Sequence, residues 1–141
     1  MILGVHAYIR LNGNANEAIR FYENALEAEN YGVQTYGELP ENPHFPLTQE
    51  AKNRVIHAQL KINNSFLMLS DILPNQPYQP GSQVEVAIIL EDIEKSKEVY
   101  GKLLEGGEEI MPIQETSWSP AYGQLKDKYG VTWQISTIII S

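Results

Sequence analysis

From Val5 to Leu11 apolar and polar side chains alternate, with Val5, Ala7, Ile9 and Leu11 on one face and His6, Tyr8 and Arg10 on the other. A period of two marks a strand with one covered face. The pattern then lengthens. Asn14, followed three residues on by Glu17, has the form of a helix start, and Ala18, Phe21, Tyr22, Ala25 and Leu26 recur at i, i+3, i+4 spacing. This predicts an amphipathic helix lying on the aliphatic face of the strand before it. Three further strands are expected over Glu29 to Tyr36, Arg54 to Ile62 and Ser65 to Asp71, the last two joined at Asn63-Asn64 in a tight hairpin.

The pattern then repeats. Val84 to Leu90 falls over Val5 to Leu11 once a single-residue gap is allowed at Gly13, and Asp92 caps a second helix that ends at Gly106-Gly107. Its inner face carries Ile93, Ser96, Val99, Tyr100, Leu103 and Leu104, so that Tyr100 aligns with Tyr22 and Leu104 with Leu26. Strands are predicted over Glu108 to Gln114, Tyr122 to Lys128 and Val131 to Ser136, and Gln59-Leu60-Lys61 returns as Gln124-Leu125-Lys126. Each copy is strand, helix, strand, strand, strand. The expected class is α+β: one domain, 1–141, of two βαβββ modules at about 1–73 and 83–141, joined by a Pro-rich linker at about 74–82. Modules this small are marginal alone and are expected to share a core. The alignment superposes His6 on Glu85, and a duplicated unit builds a site from equivalent places in its copies.

Three segments are irregular. Gly37 to Asn53, with Pro40, Pro43 and Pro46, is long for a connection and is either a lid or a floppy tip. Ile72 to Gln83 is the linker. Met111 to Ala121 holds Trp118 between two serines, where the ring either covers a pocket or packs on the core. Trp133, alternating with Gln134, is expected in the core.

Composition narrows the partners. Eighteen acidic against 10 basic residues give a formal charge of -8, and no Lys or Arg run offers a phosphate-backbone footprint, so nucleic acid is not expected. With no cysteine, thiolate metal sites and cysteine nucleophiles are excluded, in keeping with a reducing compartment. No segment has the apolar length of a membrane span, nor the N-terminus the form of a secretion signal, and a cytoplasmic protein without membrane contact is expected.

The face opposite the aliphatic one collects His6, Tyr8, Arg10, His57, Gln59, Glu85, Gln124, Thr132, Gln134 and Ser136. An antiparallel sheet can expose a polar face to water without any site; the pairing of His6 with Glu85 is what favours one. His57 is either a ligand contact or proton carrier, or a hydrogen-bonded sheet residue.

The helix string Asn14-Ala15-Asn16-Glu17-Ala18-Ile19-Arg20-Phe21-Tyr22, the strand pair Val55-Ile56-His57-Ala58 and Leu67-Met68-Leu69-Ser70-Asp71, and Asp127-Lys128-Tyr129-Gly130-Val131-Thr132-Trp133 carry a resemblance across essentially the whole chain. They resemble the PhnB-like branch of the glyoxalase, bleomycin-resistance and extradiol-dioxygenase (vicinal oxygen chelate) superfamily. The resemblance implies curved mixed sheets around a cleft, helices on the outer face, a homodimer and an unknown small-molecule ligand. It implies one divalent metal ion at His6, Glu85 and Gln134, and no nucleotide or organic cofactor. The fourth ligand position falls on Leu69, or on Met68 or Ser70 if the register shifts by one, and Leu69 cannot bind a hard ion. Imidazole, carboxylate and amide oxygen suit a first-row divalent ion with an open side for substrate. Glu85 would then be the catalytic base, with Tyr8, His57, Gln59, Trp118 and Tyr122 against the ligand. Two functions follow: metal-dependent lyase, isomerase or related chemistry on vicinal oxygens, or non-catalytic sequestration of the bleomycin-resistance type with a degenerate metal site.

Overall fold

The computed structural model describes residues 1–139. The chain divides into two compact units, Met1–Gln79 and Pro80–Ser141, and the division falls inside the Pro-rich segment. In the first unit, strand β1 (Ala7–Leu11) is followed by helix α1 (Ala15–Leu26), β2 (Glu29–Thr35), a short helix α2 (Gln49–Asn53), β3 (Val55–Ile62) and β4 (Ser65–Asp71). The second runs β5 (Val86–Leu90), α3 (Ile93–Leu104), β6 (Glu108–Gln114), β7 (Tyr122–Lys126) and β8 (Thr132–Thr137). Each forms a four-stranded mixed sheet, ordered β1-β4-β3-β2 and β5-β8-β7-β6, with the first strand parallel to the last and the other pairs antiparallel. This is the α+β fold of two βαβββ modules expected from the repeat.

Each helix covers the aliphatic face of its own sheet. Ala15, Ala18, Ile19, Tyr22 and Ala25 of α1 are buried, as are Ile9, Leu11, Ala58, Leu60, Leu67 and Leu69 of the strands. In the second unit Val99, Tyr100 and Leu103 are buried with Leu125, Trp133 and Ile135. Each large side chain removed from water in this way contributes about 1.5–3 kcal/mol. Trp133 is core, as its alternation with Gln134 predicts, and its Nε1–H donates to Asp127 at 2.8 Å.

Three local expectations need correction. Asp92 caps α3 by accepting the Lys95 N–H at 3.0 Å, but Asn14 makes no side-chain cap for α1. The start of α1 is held from across the unit, where Asp71 Oδ1 accepts the N–H groups of Gly13 at 2.8 Å and Ala15 at 3.1 Å. The segment Gly37 to Asn53 is not one loop: a 3-10 turn over Tyr36–Glu38 opens it and α2, capped by the Thr48 hydroxyl on the Ala51 N–H, closes it.

The third correction concerns register. Ala7, Tyr8 and Ile9 pair with Leu67, Met68 and Leu69, as Val86, Ala87 and Ile88 pair with Trp133, Gln134 and Ile135. The equivalent of Gln134 is therefore Met68, and Leu69 lies buried on the helix-covered face. The offset arises in the hairpins. Lys61 pairs with Phe66 and Lys126 with Thr132, so the second connection is one residue longer. Asp127 accommodates that residue by accepting the Tyr129 and Val131 N–H groups.

Candidate functional site

On the open face of the second unit, β7 and β8 place Gln124 opposite Gln134 and Tyr122 opposite Ser136. Their side chains form one directed line of hydrogen bonds. Gln124 Nε2 donates to the Tyr122 hydroxyl at 2.9 Å, that hydroxyl donates to Gln134 Oε1 at 2.8 Å, and Gln134 Nε2 donates to Glu85 Oε1 at 2.8 Å. The amide orientation of Gln134 follows from its neighbours, since the reverse would set its oxygen against the carboxylate of Glu85. Glu85 stands exposed one residue before β5. Tyr122 is buried, Gln124 and Gln134 half-buried, so the line becomes more exposed toward its charged end.

Trp118 stands beside this line. Its ring meets Tyr122 edge-on, centroids 5.2 Å apart at 72°, while the side chain remains 64% exposed, so it does not join the core. The next residue fixes it. Buried Ser119 donates its hydroxyl to the Thr137 carbonyl at 2.7 Å and accepts the Thr137 N–H at 3.0 Å, fastening the loop to the end of β8.

On the open face of the first unit, the hydroxyl of Tyr8, which is 43% exposed, lies 3.4 Å from His57 Nδ1 with the rings tilted together. Met68 separates Tyr8 from Gln59 in the strand order, pairing with both. His6 is turned to its own sheet: Nδ1 accepts the Phe66 N–H at 3.2 Å and the ring stands edge-on to Phe66. Its other nitrogen faces the backbone at Gly4, where an added Cβ would stand 2.6 Å away. The structure thus brings Glu85, Gln134, Tyr122 and Trp118 together in one unit, and Tyr8 with His57 in the other.

These residues, as arranged, do not fit a metal ion. The oxygen of Gln134, its one metal-binding atom, already takes the Tyr122 hydroxyl, and its nitrogen faces Glu85. The His6 nitrogens are bonded or crowded within the first unit. Among the described residues no group of three His, Cys, Asp or Glu side chains is disposed to hold a metal. Met68, at the fourth position, offers only a soft thioether.

Sequence reasoning underrated Gln124, which begins the line, reached Ser70 only as an alternative fourth ligand position, and missed Tyr36. The recurrence of Gln59-Leu60-Lys61 as Gln124-Leu125-Lys126 was the available signal for the first. The alternation from Phe66 through Met68 places Ser70 on the open face. Tyr36 sits in a turn, beyond the reach of any periodicity.

Paired βαβββ units with these registers define the glyoxalase/bleomycin-resistance fold. The chain belongs to the family described as 3-demethylubiquinone-9 3-methyltransferase, which matches residues 4–136. Protein YjdN of Escherichia coli strain K12 is 28% identical over 137 residues, covering 93% of this chain and 92% of YjdN. Protein PA1353 of Pseudomonas aeruginosa superposes with a TM-score of 0.87 at 25% identity, over 99% of this chain and 100% of that one. A Bacillus cereus PhnB protein, described with the same methyltransferase name, gives a TM-score of 0.72 at 26% identity, over 94% and 98%. The fosfomycin resistance protein FosX of Listeria monocytogenes, with a TM-score of 0.66 at 11% identity over 99% and 97%, shares the fold alone.

Proposed function

We propose that the protein binds a small organic molecule on the open face of its second unit, by hydrogen bonding and aromatic contact rather than through a metal. The observation that supports this reading is the directed line from Gln124 to Glu85. Three uncharged groups are committed to one another and hold the carboxylate in a set orientation, with one of its oxygens bonded and Trp118 nearby as a flat apolar wall. A ligand carrying an N–H or O–H donor, or a cationic nitrogen, suits this pair, because a carboxylate accepts and an indole face attracts positive charge. The formal charge of -8 favours the approach of cations. Glu85 is also the group on this line able to take a proton from a bound acid.

The methyl transfer in the family's description is not assigned to this chain, since a fold hosts many chemistries and the site must supply its own argument. A second copy of the chain is the proposed partner, supported by the exposed apolar side chains of Ile2, Leu3, Val5 and Val84 and tested by sedimentation equilibrium. No helix among the described residues is long and apolar enough to cross a membrane. We place the protein in the cytoplasm on its lack of cysteine.

Tryptophan fluorescence tests the binding reading. Trp133 is buried and Trp118 exposed, so quenching by an added compound reports on Trp118 and should vanish in Trp118→Phe. Titrating a panel of organic cations and hydrogen-bond donors, with and without EDTA, should give saturable quenching that the chelator leaves unchanged and Glu85→Gln weakens. Binding that disappears with EDTA and returns with one equivalent of metal would refute it.

A further inference from the structure

Ser70 is 1% exposed and its hydroxyl has no hydrogen-bond partner among the described residues. Native structures keep few such groups, because a buried hydroxyl without a partner is destabilising. Ser70 pairs with Arg10 across the parallel β1–β4 ladder, which sets the two side chains next to each other on the face away from α1. Arg10 is exposed and makes no ion pair or hydrogen bond among the described residues. A guanidinium, always charged and carrying five donors, is left open beside an unpartnered hydroxyl.

Further polar side chains converge on the same corner. The Tyr36 phenol interacts electrostatically with Arg10 and Tyr8, and its hydroxyl donates to the carbonyl of Asp71, the residue after Ser70, at 2.9 Å. Tyr8, two residues before Arg10 on the same face, meets His57, which lies one rung from the paired residues Ala58 and Leu69. The carboxylates nearby in the chain are committed elsewhere. Asp71 points to the opposite face, accepting from Gly13, Ala15 and Val55, and Glu38 accepts the N–H and hydroxyl of Thr35. The corner thus keeps two unmet donors, the Arg10 guanidinium and the Ser70 hydroxyl, and a positive charge without an ion pair among the described residues, within a chain whose net charge is strongly negative.

We infer that the corner formed by Arg10, Ser70, Tyr36, Tyr8 and His57 binds the oxyanion of a small ligand, a carboxylate or a phosphoryl group. Arg10 supplies the counter-charge, in the fork geometry that suits both groups, and Ser70 Oγ donates to a second oxygen. The inference concerns the first unit and does not depend on the Trp118 reading of the second.

The test is a two-dimensional ¹⁵N–¹H titration of the whole chain with sodium phosphate and, separately, sodium acetate, with sodium chloride holding ionic strength constant. Saturable shifts of the Arg10, Tyr36 and Ser70 amides are expected with one anion or both. Phosphate alone identifies a phosphoryl site, acetate alone a carboxylate site. Arg10→Gln should weaken binding about tenfold or more, the loss of a charge-assisted hydrogen bond. Ser70→Ala should also weaken it, yet leave the Tm of the anion-free protein unchanged or higher, because the hydroxyl it removes has no partner. No saturable shift with either anion, undiminished binding in Arg10→Gln, or a lower Tm in anion-free Ser70→Ala would overturn the inference. Fluorescence of Trp118 reads the other unit, so either proposal can fail while the other stands.

Discussion

Truncating Asp71 to alanine tests how the first unit is tied together. The carboxylate at the end of β4 is fully buried, and three backbone donors depend on it: Oδ1 accepts from Gly13 at 2.8 Å and Ala15 at 3.1 Å, and Oδ2 from Val55 at 3.0 Å. These donors belong to the start of α1 and the start of β3, so one side chain joins the helix entry to the sheet. A buried N–H left without its acceptor costs about 1–3 kcal/mol. The Ala15 and Val55 bonds are buried, whereas water can reach Gly13. Asp71→Ala should therefore lose about 2–6 kcal/mol, a large share of the roughly 5–15 kcal/mol that holds a domain folded.

The conservative variant separates acceptor loss from volume loss. Asp71→Asn keeps an oxygen for Gly13 and Ala15 but turns an amide donor toward the Val55 N–H, at a cost of about 1–3 kcal/mol. Asn14→Ala is the control. A working N-cap of this type is worth about 1 kcal/mol, yet Asn14 makes no cap bond here, so its loss should stay within about 0.5 kcal/mol. Urea unfolding followed by circular dichroism reads all three, as midpoint shifts at constant m-value. A loss below about 1 kcal/mol in Asp71→Ala would refute the reasoning, as would an Asn variant less stable than the Ala variant.

The remaining predictions use other parts of the second unit. Burial first, and then the Glu109 carboxylate that accepts its hydroxyl at 2.8 Å, push the Tyr100 pKa above its ordinary 10.0. The stability this contributes is fully present below pH 10.0 and is lost as pH rises through the raised folded value, so an alkaline stability profile should fall there and flatten in Tyr100→Phe. Gly123 faces the Tyr100 ring, where an added Cβ would stand 2.8 Å from a ring carbon; Gly123→Ala should cost about 1–3 kcal/mol by thermal unfolding. Tyr122→Phe interrupts the line between Gln124 and Gln134 and should weaken Trp118-quenching ligands by about tenfold, read by titration.

Regular elements were legible wherever the physics is local. Alternation marked the strands, the Asp92 cap was readable three residues ahead of the Lys95 N–H it accepts, and Asn63 does take the positive φ of 54° that its hairpin needs. The five-residue helix Gln49–Asn53 escaped because it is too short to show a period. Asp71 escaped for a different reason: its donors lie 58, 56 and 16 positions away, and a strand-end carboxylate signals nothing until the chain has folded. The Leu69 assignment failed on a single residue in the Asp127–Val131 turn, since a strand shifted by one presents its other face. The hydrogen-bond direction on the open face of the second unit depended on Tyr122 lying between two amides, which no spacing encodes.

That one-residue correction changes what the duplication means chemically. With the registers aligned, Met68 stands where Gln134 does, and Tyr8 where Ala87 does. In the second unit Gln134 both accepts and donates, so it can pass hydrogen bonding from Tyr122 on to Glu85. A thioether is at best a weak acceptor and donates nothing, so Met68 ends any such line in the first unit. Tyr8 turns instead to His57, the position that aligns with Tyr122. Beyond it Arg10 and Ser70 keep donors with no acceptor among the described residues. One face finishes on an acceptor and the other on unmet donors although the strand order is the same in both sheets. The copies have therefore diverged in the hydrogen-bonding character of their open faces, and Met68, paired with Tyr8 of the first strand, is where the two patterns part.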